Sequence, residues 1–286
     1  MPENPVKPAP LPNPFAFSQS SLQDYVDCNR RFQLRYMEQL QWPAVETAPL
    51  LENERHQLEG QQFHRLLQQY LLGLPVDKLT HMANNSGSQS LARWWDNFIS
   101  ARLTGNLADL DGQALHAEQS LSAPIGSHRA IAKYDLIAIR DGQATIYDWK
   151  TNHRRPRDEQ MQARYQTLVY MNLLVRAGTS LNGGQPFQPE QIKMVYWYAD
   201  FPSEPASFHL DSPQHARAWQ SLTELVSEIS ARQSFPLTGD EQKCGFCLYR
   251  SYCERGTSAA QDEDPFESNP ANHWDVNLEQ IQEIEF

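Results

Sequence analysis

No apolar run in the chain approaches the length of a membrane span, no basic segment followed by an apolar stretch opens it, and no internal repeat runs through it. These absences argue against a helical anchor, a secretory signal and a repeat architecture, so cytoplasmic residence without membrane contact is expected. Cysteine is scarce, with four residues in 286. Positive charge is also short: 24 Lys and Arg stand against 35 Asp and Glu, for a formal net charge of −11. Taken alone, that balance argues against a nucleic-acid partner, because phosphate binding needs clustered Lys and Arg. Its distribution weakens the objection. Lys and Arg are missing altogether after Arg255, where Asp262, Glu263, Asp264, Glu267, Asp275, Glu279, Glu283 and Glu285 gather. Upstream, basic residues cluster at Arg30, Arg31 and Arg35, and again at Lys150, Arg154, Arg155, Arg157 and Arg164.

What is present divides the chain into three. Residues 1–17 carry six prolines before residue 15 and are expected to be a disordered arm. Residues 18–255 leave room for one large domain or two small ones, and residues 256–286 form an acidic tail. Helical spacing predicts helices from the serines at 18–21 to about Leu40, over 54–72, over 89–103, over 159–177 and over 213–231. β-rich runs predict strands at 115–124, 131–140, 143–150, 192–199 and 207–210. Helices interleaved with a strand group imply an α/β fold with a mixed sheet. In the tail, Leu278, Ile281, Ile284 and Phe286 have the spacing of a short amphipathic helix, which points to docking on a partner or on a basic groove if the segment is not simply solvated.

The most informative segment is 131–150. Asp141-Gly142 between two β-rich runs is the strongest short-range signal for a two-residue turn. Pairing about that turn sets Asp135 opposite Asp148, with Lys150 on the same face as Asp148 and Lys133 opposite Lys150. Facing carboxylates repel unless something compensates. An adjacent ammonium and a divalent cation would do so, although a charged, solvated sheet face is the plainer account of the hairpin alone. Cys244-x2-Cys247-x5-Cys253 places three cysteines near the end of the domain, and Cys28 is the fourth by elimination. Close spacing without a secretory context favours zinc or an iron–sulfur cluster over disulfides. His64 lies at the edge of an apolar helical stripe, and Gln162, Gln166 and Tyr170 share one face of the helix after the hairpin. Taken singly, each reads as well as a packed or solvated residue.

Taken in order, the set resembles the RecB-type branch of the PD-(D/E)XK nuclease superfamily, in particular its iron–sulfur members such as AddB-type recombination nucleases and CRISPR-associated RecB-like exonucleases. The matching elements are Cys28 within Ser21-Leu-x5-Cys28-Asn-Arg-Arg-Phe32-x3-Tyr36, then Gly60-x3-His64, Asp135, Asp148-x-Lys150, Gln166-x3-Tyr170 and the cysteine triplet. The resemblance implies a restriction-endonuclease-like core, a central mixed sheet flanked by helices with the domain termini joined by a four-cysteine cluster. It implies that His64, Asp135, Asp148 and the Trp149 carbonyl hold Mg²⁺ or Mn²⁺. Asp135, Asp148 and Lys150 would then be catalytic, with Gln166 and Tyr170 supporting the site and touching DNA. Cys28, Cys244, Cys247 and Cys253 would hold a [4Fe–4S] cluster in preference to zinc. Two departures stand out: Ala130 and Ala132 lie where a glycine often precedes the first aspartate, and Asn29 follows Cys28 where many members have proline.

The expectation is a metal-dependent deoxyribonuclease acting in DNA repair or recombination. It would work on DNA, alone or with a separate helicase or a recombination or CRISPR protein. The alternatives are a catalytically silent nuclease-like DNA-binding or assembly subunit, and a CRISPR-adaptation exonuclease.

Overall fold

The computed structural model describes residues 10–40, 48–244 and 247–255. The fold is α/β, built on a six-stranded mixed sheet with helices on both faces. Its strands are β1 (Ala16–Phe17), β2 (Ala114–Ile125), β3 (His128–Arg140), β4 (Gln143–Lys150), β5 (Ile192–Tyr198) and β6 (Phe201–His209). β2, β3 and β4 are antiparallel neighbours, β4 and β5 run parallel, and β6 returns antiparallel to β5. β2 follows one edge of β3 from His128 to Ile139, so β1 and β4 share the other edge. β1 pairs there at Arg129–Ala130 and β4 from Leu136 to Arg140. Between them, residues 131–135 have no strand partner on that edge among the described residues.

The helices are α1 (Gln19–Asp27), α2 (Asn29–Phe32), α3 (Ala48–Leu71), α4 (Val76–Asn84), α5 (Gln89–Thr104), α6 (Asp158–Gln162), α7 (Tyr165–Ala177) and α8 (Ser212–Ala231). On one face of the sheet Ile137, Ile146 and Met194 join a core with Leu173 and Leu174 of α7, Val226 of α8 and Phe32 of α2. On the other face Leu136, Trp149 and Trp197 meet Phe63 of α3 and Trp94, Trp95 and Phe98 of α5. Aromatic side chains bury the most apolar area per residue, which is how a sheet with few strands covers both of its faces.

Several expectations shift at their ends. The helix predicted from 18 to about Leu40 breaks at Cys28, whose backbone is extended at φ −161°, ψ 111°. Its amide still donates to the Asp24 carbonyl, α2 resumes at Asn29, and a π-helical turn covers Gln33–Met37. The 159–177 helix is two: Arg164 is extended, ending α6 and capping α7. α4 and β1 had no clear sequence signal. The Pro-rich arm does not reach residue 17: Ala16–Phe17 form β1, and Phe17 is fully buried against Phe15 and His128. Residues 1–9 of the arm, Trp42-Pro43 and the acidic tail 256–286 lie outside the described residues.

Candidate active site

The hairpin turn forms as its residues require. Asp141 and Gly142 both have positive φ, 51° and 74°, the pair of left-handed residues that a two-residue turn matched to strand twist needs. From it the ladder runs Arg140↔Gln143 through Leu136↔Tyr147, the register read from the sequence. The next rung, Asp135 with Asp148, is not made. The Trp149 amide donates instead to Asp135 Oδ2 at 2.8 Å, while β4 stays paired with β5 out to Lys150 and Tyr198.

β3 changes sides at the same point. Its residues facing the α7 side are even-numbered through Tyr134 and odd-numbered from Ile137. On β2 the matching irregularity is Glu118, a non-glycine residue at φ 52°, which falls between the paired residues Ala117 and Gln119. The kink and the missing rung together leave Asp135 at a fork in the sheet. Lys133 therefore does not face Lys150: it forms an ion pair with Glu118 at 2.8 Å.

Two groups of contacts meet at the fork. On the α7 side, Asp148 Oδ2 sits 2.8 Å from Lys150 Nζ. Gln166 Nε2 donates to Asp148 Oδ1 at 2.6 Å, and Lys150 donates to Gln166 Oε1 at 3.0 Å. One amide thus holds both members of a buried ion pair, and each of the three residues is about 5% exposed or less. On the α3 side, His64 Nδ1 lies 3.3 Å from Asp135 Oδ1, and its Nε2 lies 3.0 Å from the Trp149 carbonyl oxygen. Both neighbours are acceptors, so both ring nitrogens carry protons in this arrangement. Burial by itself would lower the His64 pKa, but the Asp135 charge and hydrogen bond overturn that and push it up to about 9. The same imidazolium and the Trp149 amide hold the Asp135 carboxyl below its usual range, against the effect of burial.

Gly60 explains how α3 comes so near. A Cβ there would lie 3.1 Å from Thr151 Oγ1, so the glycine one turn before His64 lets the helix close on the end of β4. Tyr170 is buried, and its hydroxyl donates to the Lys133 carbonyl at 2.8 Å; the Tyr134 hydroxyl returns the contact to the Tyr170 carbonyl. Gln162 stands apart on α6, exposed, because the helix breaks before Gln166. The sequence reading missed Glu118, Tyr196 and Tyr198. Tyr196 places its ring 5.5 Å from Lys150 Nζ, and its hydroxyl is 2.8 Å from Thr167 Oγ1. Only the parallel pairing of β5 with β4 brings these tyrosines to the site, and neither strand's own pattern carries that information.

Asp148 is committed to Lys150 and Gln166, and His64 to Asp135 and Trp149. Among the described residues no three His, Cys, Asp or Glu side chains stand assembled around one point that could hold a metal ion. The oxygen donors nevertheless suit a hard divalent cation, two carboxylates and a carbonyl at one fork, and His64 would join them only after giving up a proton. All four cysteines are free thiols, half-buried. Burial pushes the Cys247 thiol up to about 11, with Arg31 opposing and Cys28 and Cys244 reinforcing, while Cys253 is raised by burial and by the same two neighbours. Cys28 and Cys244 thus lie within electrostatic reach of Cys247 and of Cys253, although among the described residues the thiols do not stand assembled around one point; as donors, sulfurs of this number suit zinc or an iron–sulfur cluster.

The family model of the PD-(D/E)XK nuclease superfamily matches residues 16–254. The chain belongs to that superfamily. Among solved structures, "Putative exonuclease" from Eubacterium rectale shares 10% identity over 89% of this chain and 93% of its own, with a TM-score of 0.46. SSO0001 shares 15% identity over 66% of this chain and 80% of its own, with a TM-score of 0.32. A search of curated proteins finds no match.

Proposed function

We propose that this nuclease-superfamily chain is a divalent-metal-dependent deoxyribonuclease of the RecB-type, iron–sulfur branch, acting in DNA repair or recombination. The observation that carries the reading is the buried Asp148–Lys150–Gln166 unit beside Asp135 and His64 at the fork of β3 and β4. A lysine kept almost wholly from solvent needs a compensating anion, and a protein that wanted only stability would do as well with apolar residues there. In this reading His64, Asp135, Asp148 and the Trp149 carbonyl hold Mg²⁺ or Mn²⁺, as PD-(D/E)XK nucleases typically do. Bound there, the cation supplies Lewis-acid polarisation of the phosphoryl oxygen and lowers the pKa of water. Lys150 orients the attacking water and stabilises charge on the phosphate. Gln166 fixes the ammonium and the Asp148 carboxylate relative to each other, and Trp149 and His64 fix Asp135. Tyr170 acts through the Lys133 carbonyl, holding the kinked part of β3, rather than through DNA.

The cysteines fit a [4Fe–4S] cluster joining residue 28 to residues 244–253, so that the domain, residues 18–255 in this reading, is closed at its termini. Visible iron–sulfur absorbance with matching iron and sulfide is expected, and colourless protein with stoichiometric zinc would overturn the cluster. The nuclease is tested with end-labelled linear and with circular DNA. Cleavage that needs Mg²⁺ or Mn²⁺, stops on chelation and is lost in Lys150→Ala is expected. No cleavage of single- or double-stranded DNA by cluster-loaded protein with either metal would leave the alternative of a silent DNA-binding or assembly subunit.

A further inference from the structure

Beyond Lys150 the α7 face of the sheet carries a polar side chain that the fold leaves unserved. Tyr198 pairs across from Lys150 in the β4–β5 ladder and points to the same side of the sheet. The residue is fully buried, yet its hydroxyl has no hydrogen-bond partner, whereas that of Tyr196, one turn of the alternation earlier, is bonded to Thr167. The pairing of β5 with β6 slips between Tyr196 and Tyr198, a bulge of the kind that re-aims side chains beside functional sites. Arg155 lies over the Tyr198 ring, its guanidinium carbon 5.6 Å from the centroid. The hydroxyl feels three cations, Lys150, Arg155 and Arg164, against one carboxylate, Asp148.

A buried hydroxyl with no partner is rare in folded proteins and calls for an explanation. Its free proton suits an anion with several acceptor oxygens, and the guanidinium over its ring supplies a matching cation. Arg155 donates to the Glu204 and Pro156 carbonyls and to the exposed Asp158, and the last pair is weak enough in water to be exchanged for a better anion. Guanidinium groups match phosphate with two parallel donors, and a charge-assisted hydroxyl adds a third.

We propose that Tyr198 and Arg155 form a seat for a second backbone phosphate of the nucleic acid, adjacent to the one placed at Lys150. The seat rests on the nuclease reading of the Lys150 site and deepens it: it sets how the strand enters and which phosphodiester reaches the fork. The test separates the two ideas by measuring binding without divalent metal. Anisotropy of a short fluorescein-labelled single-stranded oligonucleotide in chelator is followed for the full chain, Tyr198→Phe and Arg155→Gln. Tyr198→Phe, which changes no charge, is expected to weaken binding roughly three- to ten-fold. Arg155→Gln is expected to make the dependence of log affinity on log salt shallower by about 0.7. Thermal melts of each variant verify that it is folded. Wild-type affinity and salt slope in both folded variants would overturn the seat, even if the protein cleaves DNA. Weakened binding in a protein that does not cleave DNA would keep the seat and remove the nuclease reading.

Discussion

Two clusters of buried charge in the molecule are built differently. Near the cysteines, Asp24 meets Arg31 at 2.8 Å and Arg35 at 3.0 Å, and accepts from the Tyr36 hydroxyl. Asp27 meets Arg31 at 2.8 Å and Lys243 at 3.3 Å. Every carboxylate oxygen there has a cation, and two of the three cations are arginines, which do not lose their proton in proteins. At the fork of β3 and β4, the two aspartates have instead one lysine, one histidine, a side-chain amide and a backbone amide. The first cluster is closed and permanent. The second is held by groups that can give up or share their acceptors with another cation. That contrast separates a clamp from a site.

The contrast breaks most sharply at Lys150. Lys150→Met is expected to lower the cleavage rate by about 10²- to 10³-fold, comparable to removing a transition-state donor, as read from initial rates. It should also lower stability by about 3 kcal/mol in urea denaturation, because Asp148 stays buried without its cation. Adding Asp148→Asn removes that stranded charge. The double variant should therefore regain most of the stability and none of the activity. A double variant as unstable as Lys150→Met would mean that the pair is structural.

Arg31→Met tests the clamp. Leaving Asp24 and Asp27 without their shared arginine is expected to cost about 3–5 kcal/mol. Cleavage per folded molecule should change little, since no contact of Arg31 reaches the fork. A smaller effect is expected from Tyr170→Phe, which removes the bond to the Lys133 carbonyl. Its cost is about 1 kcal/mol in stability, with a rate loss that Mg²⁺ concentration does not restore. Recovery at high Mg²⁺ would place Tyr170 in metal binding rather than in holding β3.

The sequence made much of this legible because its strongest signals are local. Asp141-Gly142 specifies its turn through two positive φ values, and the turn then dictates register out to Leu136 and Tyr147. Gln166 and Tyr170 share a face of α7 by helix spacing alone. What stayed hidden depends on partners remote in sequence. Cys28 looks like one more residue of a long helix until its extended backbone splits α1 from α2. The kink at Asp135 needs Glu118 on the neighbouring strand, and it overrides the simple alternation that would have set Lys133 against Lys150. Tyr198 enters only through the parallel β4–β5 ladder, made after a long crossover through α6 and α7. Propensity and period describe a segment, whereas the fork is a meeting of five segments.

Gly60 gives the finest test of the difference between clamp and site, because its substitution separates stability from placement. Alanine within a helix is favoured over glycine by about 0.8–1 kcal/mol. The added Cβ would stand 3.1 Å from Thr151 Oγ1, so α3 or the end of β4 must give by a few tenths of an ångström. The two effects oppose, and the net stability change of Gly60→Ala is expected to lie within about 1 kcal/mol of zero. His64 is one turn further along the same helix, touching Asp135 and the Trp149 carbonyl, and cannot keep both contacts if α3 moves off. Cleavage should therefore fall several-fold and its Mg²⁺ or Mn²⁺ requirement should rise, in a protein that melts like wild type. A variant with unchanged rate and unchanged metal requirement would show that the approach of α3 to β4 serves packing alone, as the arginine cluster does.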